Sequence, residues 1–76
     1  MDEAAILREL GRRIRSQRKL IGLTQEELAL VAEVDRSYFG GIERGERNVT
    51  FTVLCRLCLA LQCDVAKLTG DLPSNA

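Results

Sequence analysis

The sequence predicts an all-α fold, and three observations carry that prediction. Apolar residues recur at helical spacing in successive blocks, each preceded by a short polar residue suited to cap a helix: Asp2, Thr24, Asp35, Thr50 and Asp64. The one proline among 76 residues lies near the end of the chain, which leaves the rest free for helices. Apolar content of 46% with only 4% aromatic residues suits a compact helical domain. A chain of this length makes one domain and buries only about 60–65% of its unfolded surface, so its own core is marginal and dimerisation would add to it.

Asp2 caps a first helix from about Glu3 to Leu20 or Ile21. Leu7, Leu10, Ile14 and Ile21 form its apolar stripe, and Gly22 ends it. Arg18 falls on that stripe, where a charge is expensive unless paired. Thr24, with Glu27 three residues later, makes a capping box for a second helix reaching Ala32. Leu28, Ala29, Val31 and Ala32 supply its apolar residues. The pattern breaks at Glu33-Val34-Asp35. Asp35 caps a third helix, Arg36 to Arg44, and Gly45 supplies a left-handed stop. Two short helices joined by such a turn are the outline of a helix-turn-helix.

Phe39, Ile42 and Glu43 share one face of the third helix, so Glu43 is an acid on a buried stripe. An Arg18–Glu43 salt bridge would satisfy both charges; the alternative is that both are solvated. Gly40-Gly41 costs roughly 0.5–1 kcal/mol per glycine inside a helix. Close approach to DNA and close approach to another helix are equally good reasons for the pair. Thr50 caps a fourth helix, Phe51 to Leu61, with Leu54, Leu57, Cys58 and Leu61 facing the core. Cys55 and Leu59, with Val53 beside them, form a second apolar stripe that asks for a partner, and a second copy of the chain is expected there. Asp64 caps a fifth helix, Val65 to Leu68 or Thr69, and 70–76 is expected to be a flexible polar tail.

Net charge is zero, which by itself argues mildly against a nucleic-acid partner. The distribution is uneven, however. Residues 8–19 hold Arg8, Arg12, Arg13, Arg15, Arg18 and Lys19 against Glu9 alone, whereas 24–50 is acidic overall. Non-specific DNA affinity should therefore be modest. With no long apolar run and an acidic N-terminus, neither a membrane span nor a secretory signal is expected, and the chain reads as cytoplasmic. Cys55-Arg-Leu-Cys58 and Cys63 invite a zinc reading. There is no histidine, and the pair lies in an apolar helix where cysteine packs as a small hydrophobe. No metal, cofactor or catalytic constellation is expected, hence no enzyme.

Thr24 and Gln25 open the second helix, where backbone N–H groups can meet a phosphate. Arg36, Ser37 and Tyr38 occupy the first turn of the third, where a recognition helix reaches base edges. TQEELA, DRSY and IERGERN together resemble the Cro/phage-repressor-type (XRE) helix-turn-helix regulators, over Leu10 to Leu68. That resemblance implies a five-helix, lambda-repressor-like DNA-binding domain. It also implies a transcription regulator acting as a homodimer on a near-palindromic double-stranded operator, without a small-molecule ligand. DRSY followed by GIERGERNVT is particularly similar to the small controller proteins of restriction–modification systems.

Carried over onto this chain, the resemblance implies base contacts from Arg36, Ser37 and the position of Gly41. Gly41 stands where the family often has a base-contacting side chain, which shifts more of the readout to Arg36 and Ser37. Thr24, Gln25, Tyr38, Arg44, Arg47 and Asn48 would contact phosphates. The family often carries an Arg and a Glu at positions 18 and 43, and usually a glycine where this chain has Gln62. A protein-interaction module on the same fold, without a DNA role, remains the alternative. Operator sequence, and activation versus repression, stay open.

Overall fold

The computed structural model describes residues 2–73 and is all-helical there: α1 (Glu3–Leu20), α2 (Gln25–Ala32), α3 (Arg36–Glu43), α4 (Phe51–Leu61) and α5 (Val65–Thr69). Each helix begins at a side-chain cap. Asp2 accepts from the Ala5 N–H, Asp35 from Tyr38, Thr50 from Val53 and Asp64 from Lys67. The Thr24–Glu27 capping box is closed in both directions, at 3.1 and 2.9 Å. No helix among the described residues is long and apolar enough to cross a membrane.

The long α1 lies across the other elements, packing on α3, α4 and α5, while α2 is wedged between α3 and α4. Ile14, Leu28, Phe39, Ile42, Leu57, Leu61 and Leu68 meet at the centre and are essentially removed from water. Each contributes about 1.5–3 kcal/mol of hydrophobic stabilisation. The helices α1 and α3 come close at Gly11 of α1. A Cβ there would stand 2.4–2.8 Å from backbone atoms of Ile42 and Glu43, so only glycine lets α1 lie directly on α3. α3 is thus held from behind by backbone contact.

Helix ends carry the other local devices. Glu33 and Gln62 both take the left-handed conformation, at φ 58° and 59°. After each, a backbone bond reaches back into the helix: Val34 N–H to Ala29 O at 2.9 Å, and Cys63 N–H to Cys58 O at 3.1 Å. Gln62 therefore ends α4 as a glycine would, with the backbone strain a side chain adds there. Three long side chains from other helices cap the exposed carbonyls. Gln17 donates to Leu61 O at 3.0 Å, Arg13 to Leu68 O and Gly70 O at 3.2 and 2.6 Å, and Arg56 to Ala32 O at 3.1 Å and to Glu33 O.

Three expectations change. Val31 is 62% exposed rather than part of the α2 core stripe, because Leu28, Ala29 and Ala32 already fill the inward arc. The segment after α5 is not loose as far as it is described: Arg13 holds Gly70 O, and Leu72 is half-buried and donates to Thr69 O at 3.0 Å. The remainder of the expected tail, 74–76, lies outside the described residues. Val53 is half-buried against the core instead of lying on the Cys55–Leu59 stripe. Two residues along a helix turn the side chain by about 200°, which carries Val53 to the far side. Phe51, 67% exposed, takes its place beside Cys55 and the 81% exposed Leu59.

Candidate nucleic-acid interface

The exposed arc of α3 follows from its period. Phe39, Ile42 and Glu43 turn inward, whereas Arg36, Ser37 and Arg44 are exposed; Gly40 shares the stripe of Arg36 and Arg44, and Gly41 that of Ser37, and both glycines are buried. Tyr38 sits at the edge, half-buried against the core. No carboxylate pairs with Arg36 or Arg47 among the described residues, whereas Arg44 holds Glu46 at 3.1 Å on the exposed surface.

Side chains, and no backbone of another helix, are nearest to where a Cβ of either glycine would stand. A Cβ at Gly40 would meet the Nη1 atoms of Arg44 and Arg36 at 3.1 and 3.3 Å, and Gln25 Oε1 at 3.8 Å. A Cβ at Gly41 would meet Arg47 Cγ at 2.8 Å. Gly41, expected at the bases, is therefore buried beneath the stem of Arg47, and the guanidinium chain stands between its backbone and any groove. What lies on the glycines is arginine.

Behind this face, Arg18 and Glu43 meet in a two-point ion pair. Arg18 Nε donates to Glu43 Oε2 at 2.6 Å and Nη2 to Oε1 at 3.1 Å, with the two side chains 9% and 2% exposed. Arg18 Nη1 also donates to Leu23 O at 2.8 Å, and Gln25 Nε2 to Glu43 Oε1 at 2.8 Å. No buried side-chain polar atom is left without a partner among the described residues. The ion pair thereby fixes α1, the turn before α2, and the first residue of α2 against α3.

This network narrows what the α2 N-terminus can offer. Thr24 N–H is taken by the Glu27 carboxylate, and Glu27 N–H by Thr24 Oγ1. Hydrogen bonding from the Thr24 backbone N–H, and then from the Thr24 side chain, holds the Glu27 carboxyl below the usual carboxylate range. The Gln25 amide is drawn inward to Glu43. Free for an anion are the Gln25 and Glu26 N–H groups. These line an open cleft with Arg18 and Arg36. Asn48 is exposed in the loop beyond α3.

Sequence reasoning missed Arg56, Gln17 and Arg13 as positioning residues. Arg56 matters most here, since it ties α4 to the turn between α2 and α3. Its one signal was being the lone charge in the apolar run FTVLCRLCLAL. The cysteines carry no chemistry of this kind. Burial pushes the Cys58 thiol up to about 11, and among the described residues no three potential ligands gather around a metal position.

A sequence model of the helix-turn-helix family matches residues 14–68. Over 59 residues the chain is 44% identical to the Control protein C.SmaI of Serratia marcescens, a match covering 78% of this chain and 70% of that one. The crystal structure of the restriction-modification controller protein C.AhdI from Aeromonas hydrophila aligns with a TM-score of 0.83 at 44% identity, over 84% of this chain and 97% of that chain. The restriction-modification controller protein C.Esp1396I, solved as a tetramer in complex with its natural 35 base-pair operator, aligns with a TM-score of 0.75 at 34% identity, over 80% of each chain.

Proposed function

The chain belongs to the helix-turn-helix family, and from that premise we propose that it is a sequence-specific, double-stranded-DNA-binding transcription regulator. It acts as a homodimer, and its specific role is that of a restriction–modification controller governing its own promoter. The observation that carries this reading is the outward face of α3, where Arg36 and Arg47 stand without a carboxylate partner while most other arginines are tied into the fold. The similarity to C.AhdI, C.SmaI and the operator-bound C.Esp1396I supports it. Binding is the whole of its chemistry on this reading, and it works in the cytoplasm alongside the DNA.

In this proposal Arg36 reads a guanine through O6 and N7, with Ser37 beside it; a two-point contact of this kind is worth about 1–3 kcal/mol of discrimination. Arg44, Arg47, Tyr38, Asn48, Thr24 and the Gln25 N–H hold phosphates and set the register. The exposed stripe of Phe51, Cys55 and Leu59 joins two copies. Symmetry then presents two α3 helices to half-sites about one turn apart, roughly 34 Å.

The test is selection of a duplex from a random pool, followed by fluorescence anisotropy on that duplex and on a scrambled one. Arg36→Ala should keep its fold and lose the preference between them. Arg47→Ala should weaken both equally and lower the salt slope by about one. A wild-type protein that selects no sequence would leave the protein-interaction reading in its place. Genes for a methyltransferase and an endonuclease beside this one are expected for a controller.

A further inference from the structure

Gly40 and Gly41 sit in the middle of α3, both buried, where two adjacent glycines weaken a helix. Neither has a positive φ, so alanine fits the backbone at both positions. Their nearest neighbours are the side chains of Arg36 and Arg44 over Gly40 and of Arg47 over Gly41. The helix period explains the first pair: Arg36 and Arg44 lie one turn to either side of Gly40 on one stripe. Both guanidiniums fold towards the same bare stretch of backbone. Arg47 comes from the loop after Gly45 and lays its stem across the next stripe.

We propose that Gly40 and Gly41 are positioning residues for DNA recognition: their bare backbone is a floor that keeps the guanidiniums of Arg36, Arg44 and Arg47 low and convergent on the recognition face. This deepens the DNA-binding proposal and rests on it. The specificity of α3 then comes from arginines at its ends laid inward over a gap, in place of a side chain projecting from its centre. A Cβ at 40 meets two guanidinium ends at 3.1 and 3.3 Å, so both must give way from the positions they hold over the glycine. A Cβ at 41 meets Arg47 at Cγ, close to its own backbone, so the whole side chain must leave its seat.

The two alanine variants should therefore separate fold from function. Gly40→Ala and Gly41→Ala should each melt at or above the wild-type temperature, by up to about 4–8 °C, because the helix gains. In the free protein, the Nε–Hε NMR signals of Arg36 and Arg44 should move in Gly40→Ala, and that of Arg47 in Gly41→Ala. On the duplex selected by wild type, Gly40→Ala should lose about five- to hundredfold in preference over the scrambled duplex and keep its salt slope. Gly41→Ala should instead lose affinity evenly and drop about one in salt slope.

Alanine variants that discriminate like wild type, or that melt lower because the glycines serve packing, overturn the inference while the DNA reading stands. Unmoved arginine signals do the same without any DNA present. A wild-type protein that selects no duplex brings down the DNA reading, and this inference with it.

Discussion

Replacing Glu43 with alanine tests the frame that holds the recognition helix. The carboxylate removed is the acceptor for Arg18 Nε at 2.6 Å, Arg18 Nη2 at 3.1 Å and Gln25 Nε2 at 2.8 Å. Arg18 would be left with Leu23 O at 2.8 Å as its remaining partner, in a site where its side chain is 9% exposed. Stranding a buried charge in this way costs about 3–5 kcal/mol. A domain of this size has roughly 4–11 kcal/mol of stability in all, so a large share disappears. At about 4–8 °C per kcal/mol, the melting temperature should fall on the order of 12–40 °C. Thermal and urea melts followed by circular dichroism, at one protein concentration because the chain is taken to dimerise, give the number. The double variant Arg18→Met/Glu43→Leu removes both charges and should recover most of the loss, since apolar groups of similar volume often replace a buried pair without cost. A Glu43→Ala protein melting within a few degrees of wild type, or a double variant as unstable as the single one, would refute this account of the pair.

Three further outcomes are expected. Leu59→Glu places a charge on the exposed stripe of α4 and should give a folded monomer by sedimentation that no longer binds the selected duplex; a variant that still dimerises moves the interface elsewhere. Gly11→Ala should destabilise by about 1–3 kcal/mol in urea melts, because its methyl meets the α3 backbone, which has nowhere to go; a neutral or stabilised variant would mean the helices slide apart freely. Hydrogen bonds from Arg12 and then Arg13 lower the Glu9 carboxyl to about 2. Its stabilisation is therefore full above about pH 4.5 and fades as pH falls through about 2. Glu9→Gln should be less stable than wild type at neutral pH and converge with it near pH 2, and a Glu9 carboxyl NMR titration centred near 4.5 would contradict the assignment.

The helix starts were legible because a cap is a local event. Asp2, Thr24, Asp35, Thr50 and Asp64 each bond an N–H only two or three positions along, and spacing alone reveals them. The helix ends were less so. Gln17, Arg13 and Arg56 cap carbonyls 44, 55 and 24 residues away, and no window on the sequence sees across such distances. Glycine was legible only where it turns the chain. Gly22 and Gly45 stand at φ 80° and 77° and announce themselves by ending a pattern. Gly11 has ordinary helical geometry, and its reason is a neighbour brought in from α3. Gly40 and Gly41 were visible as an anomaly, but the sequence offered DNA or a helix as the cause and could not show arginines folding back over them. Val53 was misplaced by angle alone.

The neutral charge of the chain becomes intelligible once its arginines are followed to their partners. α1 looks like a basic arm, yet Arg12 and Arg13 are committed to Glu9, Arg13 also to the end of α5, and Arg18 to Glu43. Arg13 and Arg18 hold α1 to α5 and α3, and the two carboxylates offset two of these three positive charges, which reduces their field at a distance. Arg8, Arg15 and Lys19 remain exposed, and helical periodicity sets them on one stripe next to the Gly11 and Arg18 edge that packs on α3. The unspent positive charge is thus gathered beside the recognition helix although the molecule has none to spare overall. Such a protein gains little from non-specific attraction to phosphate, which depends on many loose cations. On the proposed function it relies on a few well-placed guanidiniums and on presenting them twice. Occupancy of an operator is then expected to follow dimer concentration steeply, because a monomer would offer one short helix and a weak field.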